Sequence, residues 1–534
     1  MMDCSQKTIP IHCEPNQVGA ETGGKLKPNC LDALALLIDF GSTFTKATVV
    51  NLKTAQIIGR SQAPSTVESD VSQGLVRALS ILAKKIPNLP NLTLSLDGLD
   101  TMNVSASSSA AGGLRVVVAG LAPGLTVEAA NAAALGAGAK VVGTYSFKLD
   151  GKEMDKIVAS SPDLILLTGG MEGGDQATIL HNAKMFAKAP LRIPIVAAGN
   201  SSVAPIINSL LTRAGKEVHC AANVLSIDGS VTPKAAQQEI RRLFMSHITN
   251  AKGLEKIKDR VPVILPTPMA VQKAALLGTL GTQAKQGLGE LLLVDVGGAT
   301  TDVYSVGDGK PRGKDMIPTG LPEPFSKRTV EGDLGLRFNA RTILEQVGEE
   351  FLFASFGAAF PELRIEREDL FAYVEAVSNE TDRVPSADWQ FAADAIMARI
   401  AVDLAIARHV GRSTPYYAGG GAVNLMTGKD MTETPTVIGT GGIFTYNPFA
   451  TRILAAPSQA DETQTVLRPI NPNIQIDKDY VLHAVGLLAD SHPEVALSIF
   501  LDHFPLTLPV SNHVPAHQPA PKSQVMAGED SCCS

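Results

Sequence analysis

Cysteine is scarce in this chain and badly placed for structural use. Cys4, Cys13, Cys30, Cys532 and Cys533 lie near the two ends, and only Cys220 falls in the body of the sequence. That distribution excludes a disulfide framework and leaves no set of core thiolates for a metal or an iron–sulfur cluster. Cys532-Cys533 before the terminal serine is not a prenylation box, so surface thiols are the reading that remains. The ten histidines are scattered, with His503, His513 and His517 near or in the C-terminal tail, which argues against a histidine metal site in the body of the chain. No apolar run reaches the roughly 18 residues of a membrane helix. Met1 to Asn29 is polar, carries Pro10, Pro15 and Gly23-Gly24, and lacks the apolar stretch of a signal peptide. A cytoplasmic protein with a loose leader is expected. With 46 basic against 53 acidic residues and no basic run, nucleic acid is not an expected partner, and neither is a membrane. Aromatics make up 5% of the chain while glycine, alanine and valine abound, as in closely packed α/β folds.

Against these absences stand two segments that look like copies of one device. Leu36 to Lys46 (LLIDFGSTFTK) and Leu292 to Asp302 (LLVDVGGATTD) each run from apolar residues to an aspartate, a Gly/Ser/Thr turn and a β-branched return. The apolar run reads as a buried strand, and the glycine lets the backbone turn and approach a ligand closely. Hydroxyls and amides of such a turn can hold phosphate oxygens, and the aspartate can hold a divalent cation through water or orient an attacking water. Two such hairpins face to face would clamp a nucleoside triphosphate. A late glycine turn, Tyr417 to Ala422 (YAGGGA), follows, and then a strand-turn from Val437 to Gly442.

The chain is long enough for several domains. Residues 1–30 read as a disordered leader and 511–534 as a disordered tail. Residues 31–110 give the first part of one lobe, with a helix from Asp70 to Lys85. From Leu114 short apolar strands alternate with helices: 114–120, 126–138, 141–145, 151–160, 164–168, 175–188, 193–197 and 202–214. This alternation predicts a doubly wound parallel sheet inserted over 111–220. Its strand ends carry glycine-rich loops, Thr168 to Asp175 and Ala198 to Ser202, which suit either a ligand crevice or plain turns. Residues 221–285 complete the first lobe, with helices over 233–250 and from about Met269 to Leu277. Residues 286–510 form the second lobe, with long helical patterns over 337–355 and 388–410.

The order of the three glycine elements resembles the phosphate-1, phosphate-2 and adenosine motifs of the acetate kinase, sugar kinase, Hsp70 and actin superfamily. Five strings narrow this further: Ile38–Lys46, Ser107–Leu114 (SSSAAGGL), Leu167–Asp175 (LTGGMEGGD), Leu265–Val271 (LPTPMAV) and Arg328–Gly335 (RTVEGDLG). They are similar to the MutL/GlmL family of methylaspartate (glutamate) mutase accessory proteins, unrelated to the mismatch-repair protein of that name. The resemblance spans about residues 34–510. It implies a two-lobed actin-like ATPase with ribonuclease H-like lobes, ATP and Mg²⁺ as cofactors, and an adenosylcobalamin-dependent mutase as the client to be reactivated. The insert looks like a flavodoxin-type cobalamin-binding domain, but its loop over 121–127 has no histidine to ligate cobalt. No firmly bound cobalamin is expected; the insert is read either as a mimic of the mutase's cobalamin subunit or as a generic α/β insert.

The expected roles follow. Asp39 and Asp295 order Mg²⁺ and position water, although an aspartate at such a turn also suits an Asx turn. Gly41, Ser42 and Thr43 face the phosphates from one side, and Gly297, Gly298, Thr300 and Thr301 from the other. Lys46 either neutralises phosphate charge or is an exposed strand lysine. Asp302 is expected to point away from Thr301, which makes a catalytic role there doubtful. Glu331 and Asp333 resemble the ribose-contacting acidic turn, with a helix cap by Asp333 as the other reading. Gly419, Gly420 and Gly421 would underlie the adenosine. Two other functions fit the same fold: a small-molecule kinase, and an ATP-driven activator of a dehydratase-type enzyme, which would need core cysteines.

Overall fold

The computed structural model describes residues 33–41, 43–66, 70–86, 99, 102–109, 114–248, 260, 263–313, 315–418, 421–454 and 465–505. Chain order begins with β1 (Leu34–Phe40), β2 (Phe44–Asn51), β3 (Gln56–Pro64), α1 (Val71–Lys85) and β4 (Asn103–Ser108). Helix α1 starts where expected because the Asp70 carboxylate accepts the Ser72 amide, and its stripe of Val71, Leu75, Ala78, Leu79 and Leu82 is buried.

Next come β5 (Arg115–Gly120), a π-helical turn (Pro123–Val127), α2 (Glu128–Gly136), β6 (Lys140–Ser146), α3 (Gly151–Ala159) and β7 (Leu164–Leu167). They are followed by α4 (Ala177–Lys188), β8 (Ile195–Ala197), α5 (Ala204–Arg213) and β9 (Val218–Cys220). These five strands are all parallel in the order β6-β5-β7-β8-β9. Alternate residues of β5 go to opposite faces: Val116 and Val118 join the core shared with α1, while Val117 and Ala119 join a second cluster with α3, α4 and α5. The insert is therefore packed onto the first sheet, not tethered beside it.

The chain then forms α6 (Lys234–Ile248), β10 (Val263–Pro266) and α7 (Thr267–Leu280). Strand β10 closes a sheet of order β10-β4-β1-β2-β3, in which β1, β2 and β3 are antiparallel neighbours and β4 and β10 run parallel to β1. The remaining elements are β11 (Leu291–Val296), β12 (Thr301–Val306), β13 (Met316–Pro318), β14 (Ser326–Glu331), α8 (Ala340–Val347), α9 (Glu349–Ala359), α10 (Arg367–Asn379) and α11 (Asp388–His409). Last are β15 (Arg412–Ala418), β16 (Gly421–Thr427), β17 (Thr436–Thr440), α12 (Gly442–Tyr446), α13 (Ala450–Ile453), β18 (Asn473–Ile476), α14 (Leu482–Leu488) and α15 (Pro493–His503). The second mixed sheet has the order β14-β12-β11-β17-β18. Strand for strand it repeats the first: an antiparallel meander, then two parallel strands beside the first one.

One expectation needs correction. The helical pattern over 337–355 is two helices, because Gly348 takes a φ of +82° that ends α8 and opens α9. The two mixed sheets, on either side of residue 285, pack against a common apolar cluster. Ala35, Leu37 and Val50 of the first sheet share one apolar cluster with Leu291, Leu293 and Tyr304 of the second, filled between by α7, α14 and α15. The helices cross closely there: a Cβ on Gly486 would lie 1.8 Å from the Ala270 carbonyl oxygen, and one on Gly278 would lie 2.2 Å from the Phe500 ring. The leader over 1–30 and the tail over 511–534 lie outside the described residues.

Candidate functional site

Each mixed sheet ends in the same hairpin. Between β1 and β2 the Gly41 amide donates to the Phe44 carbonyl at 3.1 Å; between β11 and β12 the Gly297 amide donates to Thr300 at 2.9 Å. The registers match as well, with Phe40 opposite Thr45 and Val296 opposite Thr301. Opposite residues of an antiparallel pair share a face. Asp39 therefore stands beside Lys46, and Asp295 beside Asp302.

Asp39 is buried and held on three sides. Its Oδ1 accepts the hydroxyls of Ser107 at 2.8 Å and Thr267 at 2.7 Å, and its Oδ2 faces the Lys46 Nζ at 3.4 Å. Burial alone would raise its pKa, but Lys46, His483 and the Thr267 and Ser107 hydroxyls outweigh that and hold the carboxyl below its ordinary range. Among the described residues no hydroxyl donates to Asp295 in this way. Burial, then the charges of Asp302, Asp39 and Asp477, push it up to about 7, against a smaller opposing pull from Lys46. Two aspartates at equivalent positions thus have opposite states: one a fixed anion, the other poised near neutrality.

The space between them is furnished by the C-terminal segment, which sequence reasoning missed. The Lys46 ammonium sits 3.3 Å from the centre of the Tyr480 ring. Tyr480 has a left-handed φ of +51°, and its ring lies 5.2 Å from that of His483. His483 is buried, and burial lowers its pKa to about 4, so it is neutral. Asp477 accepts the Thr440 hydroxyl at 2.9 Å and the Val481 amide at 2.8 Å, fixing the start of α14 beside the cleft. No glycine or D-x-G signal marks Tyr480 or His483 in the sequence. Thr267 and Ser107 fall within strings that the family resemblance had picked out, but without an assigned role.

Other expected residues fall less simply. Thr43 and Gly298 are exposed at the hairpin tips, while Gly41 is buried. The Thr300 hydroxyl donates to Asp302 at 3.1 Å. Thr301 is fully buried with its hydroxyl on the Leu334 carbonyl at 2.7 Å, so that hydroxyl faces the interior. Asp302 does point away from Thr301, and that direction is toward Asp295 across the hairpin. Glu331 and Asp333 both accept from Arg408, at 2.7 and 2.9 Å, and Gln346 donates to Asp333 at 2.8 Å. Burial raises Glu331, whereas Arg408 and Gln346 overcome burial to lower Asp333. Asp333 thus serves a side-chain cluster and caps no helix here.

Ser42, Gly419 and Gly420 lie outside the described residues. Gly421 opens β16 opposite Ala418, at the end of a hairpin belonging to a separate sheet of order β13-β16-β15. That hairpin is rooted beside Lys429 and Phe325, at the Leu291–Val306 end of the second sheet, the end remote from Asp295. A glycine turn that reaches the site is Gly441, where φ is +105° and a Cβ would lie 2.9 Å from the Asp295 Oδ1. It precedes α12, so a helix start lies next to the carboxylate.

A family model described as MutL protein matches residues 35–504, nearly the whole of the described chain. The chain belongs to the MutL family. The curated Protein MutL of Clostridium tetanomorphum is 39% identical over 467 residues, covering 87% of this chain and 97% of the relative. Solved structures with some likeness include xylulose kinase from Bifidobacterium adolescentis, 12% identical over 87% of this chain and 93% of that one with a TM-score of 0.27. Ethanolamine utilization protein EutJ from Carboxydothermus hydrogenoformans is 9% identical over 88% and 89%, with a TM-score of 0.24. Scores this low add nothing to what the strand order of this MutL family member already establishes, a mixed α/β architecture. No described helix is long and apolar enough to cross a membrane.

Proposed function

We propose that this MutL family member binds Mg²⁺-ATP between its two hairpins, hydrolyses it, and uses the cycle to reactivate an adenosylcobalamin-dependent mutase of the glutamate mutase or aminomutase type. The observation that carries the nucleotide reading is the duplicated hairpin with Asp39 and Asp295 at equivalent register positions and Lys46 between the two carboxylates. Two mixed sheets of identical strand order support an actin-like, two-lobed ATPase. The client comes from family membership alone.

The donor set fits a cation that arrives with its nucleotide. Among the described residues no group of three His, Cys, Asp or Glu is clustered tightly enough to hold a metal by itself. Asp39 and Asp295 would bind Mg²⁺ through water, and the phosphates would complete its shell. When bound, the cation would neutralise phosphate charge and lower the Asp295 pKa. Asp39, fixed by Ser107 and Thr267, is suited to orientation; Asp295, titrating near neutrality, is suited to accept a proton from an attacking water. Lys46 would leave the Tyr480 face to meet the terminal phosphate, and Gly41, Thr43, Gly297, Gly298 and Thr300 would line it. Gly441 joins them as a backbone neighbour of Asp295.

The insert's parallel order, with β6 at one edge, then β5 and β7, and β8 and β9 beyond, supports a flavodoxin-like reading. Its glycine loops bind one another: the Thr126 hydroxyl takes the Leu121 and Ala122 amides, and Asn200 bridges Gly173 and Gly174. Polar groups committed in this way are unavailable to a ligand, which favours a protein-facing role without tightly held cobalamin. The test is ATP turnover with and without mutase, together with capture of mutase from native extract in the two nucleotide states. Asp39→Asn and Asp295→Asn should each lower turnover by roughly 10²-fold or more. Phosphorylated small-molecule product in place of free phosphate would instead favour a kinase.

A further inference from the structure

Arg328 is buried in β14 and touches two parts of the molecule that are far apart in sequence. Its Nε and Nη2 donate to Asp302 Oδ1 at 2.9 and 2.6 Å, while its Nη1 donates to the Leu135 and Ala139 carbonyls, both at 3.1 Å. The first lies in the last turn of α2 and the second in the turn from α2 to β6, both in the insert. The other Asp302 oxygen accepts the Thr300 hydroxyl, which belongs to the second hairpin loop. The connection is continuous: hairpin loop, Asp302, Arg328, end of α2. Its far side is also confined. Gly138 has a φ of +88°, and a Cβ there would lie 2.7 Å from Pro266, immediately before α7. At its other end α2 continues from the π-helical turn Pro123–Val127, which exposes Leu125 at the carboxyl edge of the parallel sheet.

We propose that Arg328 is a positioning residue that links the second phosphate hairpin to the insert, so that the state of the hairpin and the placement of α2 are set together. Only a planar guanidinium can serve two directions at once: one fork holds the carboxylate and the remaining nitrogen closes the helix end. A shift of Asp302 during nucleotide binding must then break the buried ion pair or draw Arg328 away from the Leu135 and Ala139 carbonyls. By reciprocity, an insert held by a partner would bias the hairpin. The link is a set of contacts between two discrete elements, so it does not depend on a diffuse pathway. Its nucleotide arm rests on the ATP reading above; the link itself does not.

Hydrogen exchange by mass spectrometry on the full chain separates the two. Without nucleotide, Asp302→Asn should raise exchange in peptides covering 133–140 by several-fold, and this effect should vanish in an Arg328→Lys background. Lysine keeps the charge but loses the second direction. An Asp302→Asn/Arg328→Met double variant removes both charges and guards against misfolding caused by one unpaired buried group. With Mg²⁺-ATP, exchange over 133–140 should change in the wild type and not in Arg328→Lys, with ATP affinity altered by less than about tenfold. Unchanged exchange over 133–140 in Asp302→Asn, or an equal nucleotide response in Arg328→Lys, overturns the link. If ATP does not bind the wild type while the nucleotide-free cycle behaves as described, the link stands and the ATP reading falls.

Discussion

At the scale of single residues, the asymmetry between Asp39 and Asp295 is the central chemical fact. The two hairpins offer the same backbone, but Asp39 receives two hydroxyls and Lys46, whereas Asp295 is set opposite Asp302. This difference has a pH signature. With a folded pKa of about 7 against an ordinary 3.8, Asp295 keeps a proton in the native state that the unfolded chain has released. Its contribution to stability is therefore greatest below about pH 4, declines through the window from about pH 4 to 7, and is flat above it. The slope is at most about 1.4 kcal/mol per pH unit. Asp295→Asn removes the titration, so the variant should gain stability relative to the wild type between pH 5 and 8, measured by urea denaturation. A stability difference that does not change with pH would place the Asp295 pKa in the ordinary carboxylate range. The aspartates and the glycines of both turns were legible because a D-x-G string needs only local chemistry. Tyr480, His483 and Arg408 were not, because each reaches the site from a helix or turn hundreds or tens of positions away and carries no local pattern of its own.

At the scale of elements, periodicity carried most of the reading. The β/α alternation from residue 114 is realised nearly strand for strand, since fully apolar runs of four to seven residues between helices can be buried only in a covered parallel sheet. Two failures came from competing local effects. Gly348 interrupted a helix whose apolar spacing continues through it, and α10 went unread although Leu370, Tyr373, Val374 and Val377 are buried at helical spacing. The Gly441–Gly442 turn was left without a role for a different reason: as a string it is equivalent to Gly419–Gly421, and only sheet pairing puts β17 beside β11. Close helix crossings are likewise invisible in a string. Gly486→Ala would drive a methyl into the Ala270 carbonyl and should cost about 1–3 kcal/mol, read from the urea midpoint. Gly124→Ala, with open space around the new methyl, should fall within about 0.5 kcal/mol of the wild type. Equal losses in both would mean that α7 and α14 separate more easily than their contact indicates.

For the whole molecule, the shared apolar cluster among β1, β11, α7, α14 and α15 makes the two mixed sheets one cooperative unit. A ligand that bridges Asp39 and Asp295 should stabilise that unit as a whole. At 100 times its dissociation constant, Mg²⁺-ATP should add about 2.7 kcal/mol, seen as a rise in the thermal midpoint and lost in Asp39→Asn. The insert, packed on the first sheet through Val116 and Val118 and tied to the second through Arg328, should melt in the same transition. A separate calorimetric transition for the insert would show that these contacts do not hold it.

The amino-acid sequence by itself determined the strand and helix alternation, the two aspartate hairpins and the family, because these depend on local propensity, spacing and short strings. The tertiary structure alone decided which aspartate is ionised, which glycine turn meets the cleft, and that the C-terminal Tyr480 and His483 line it. Those outcomes depend on burial and on charges brought together across long separations, and neither exists until the sheets have paired and the helices have packed between them.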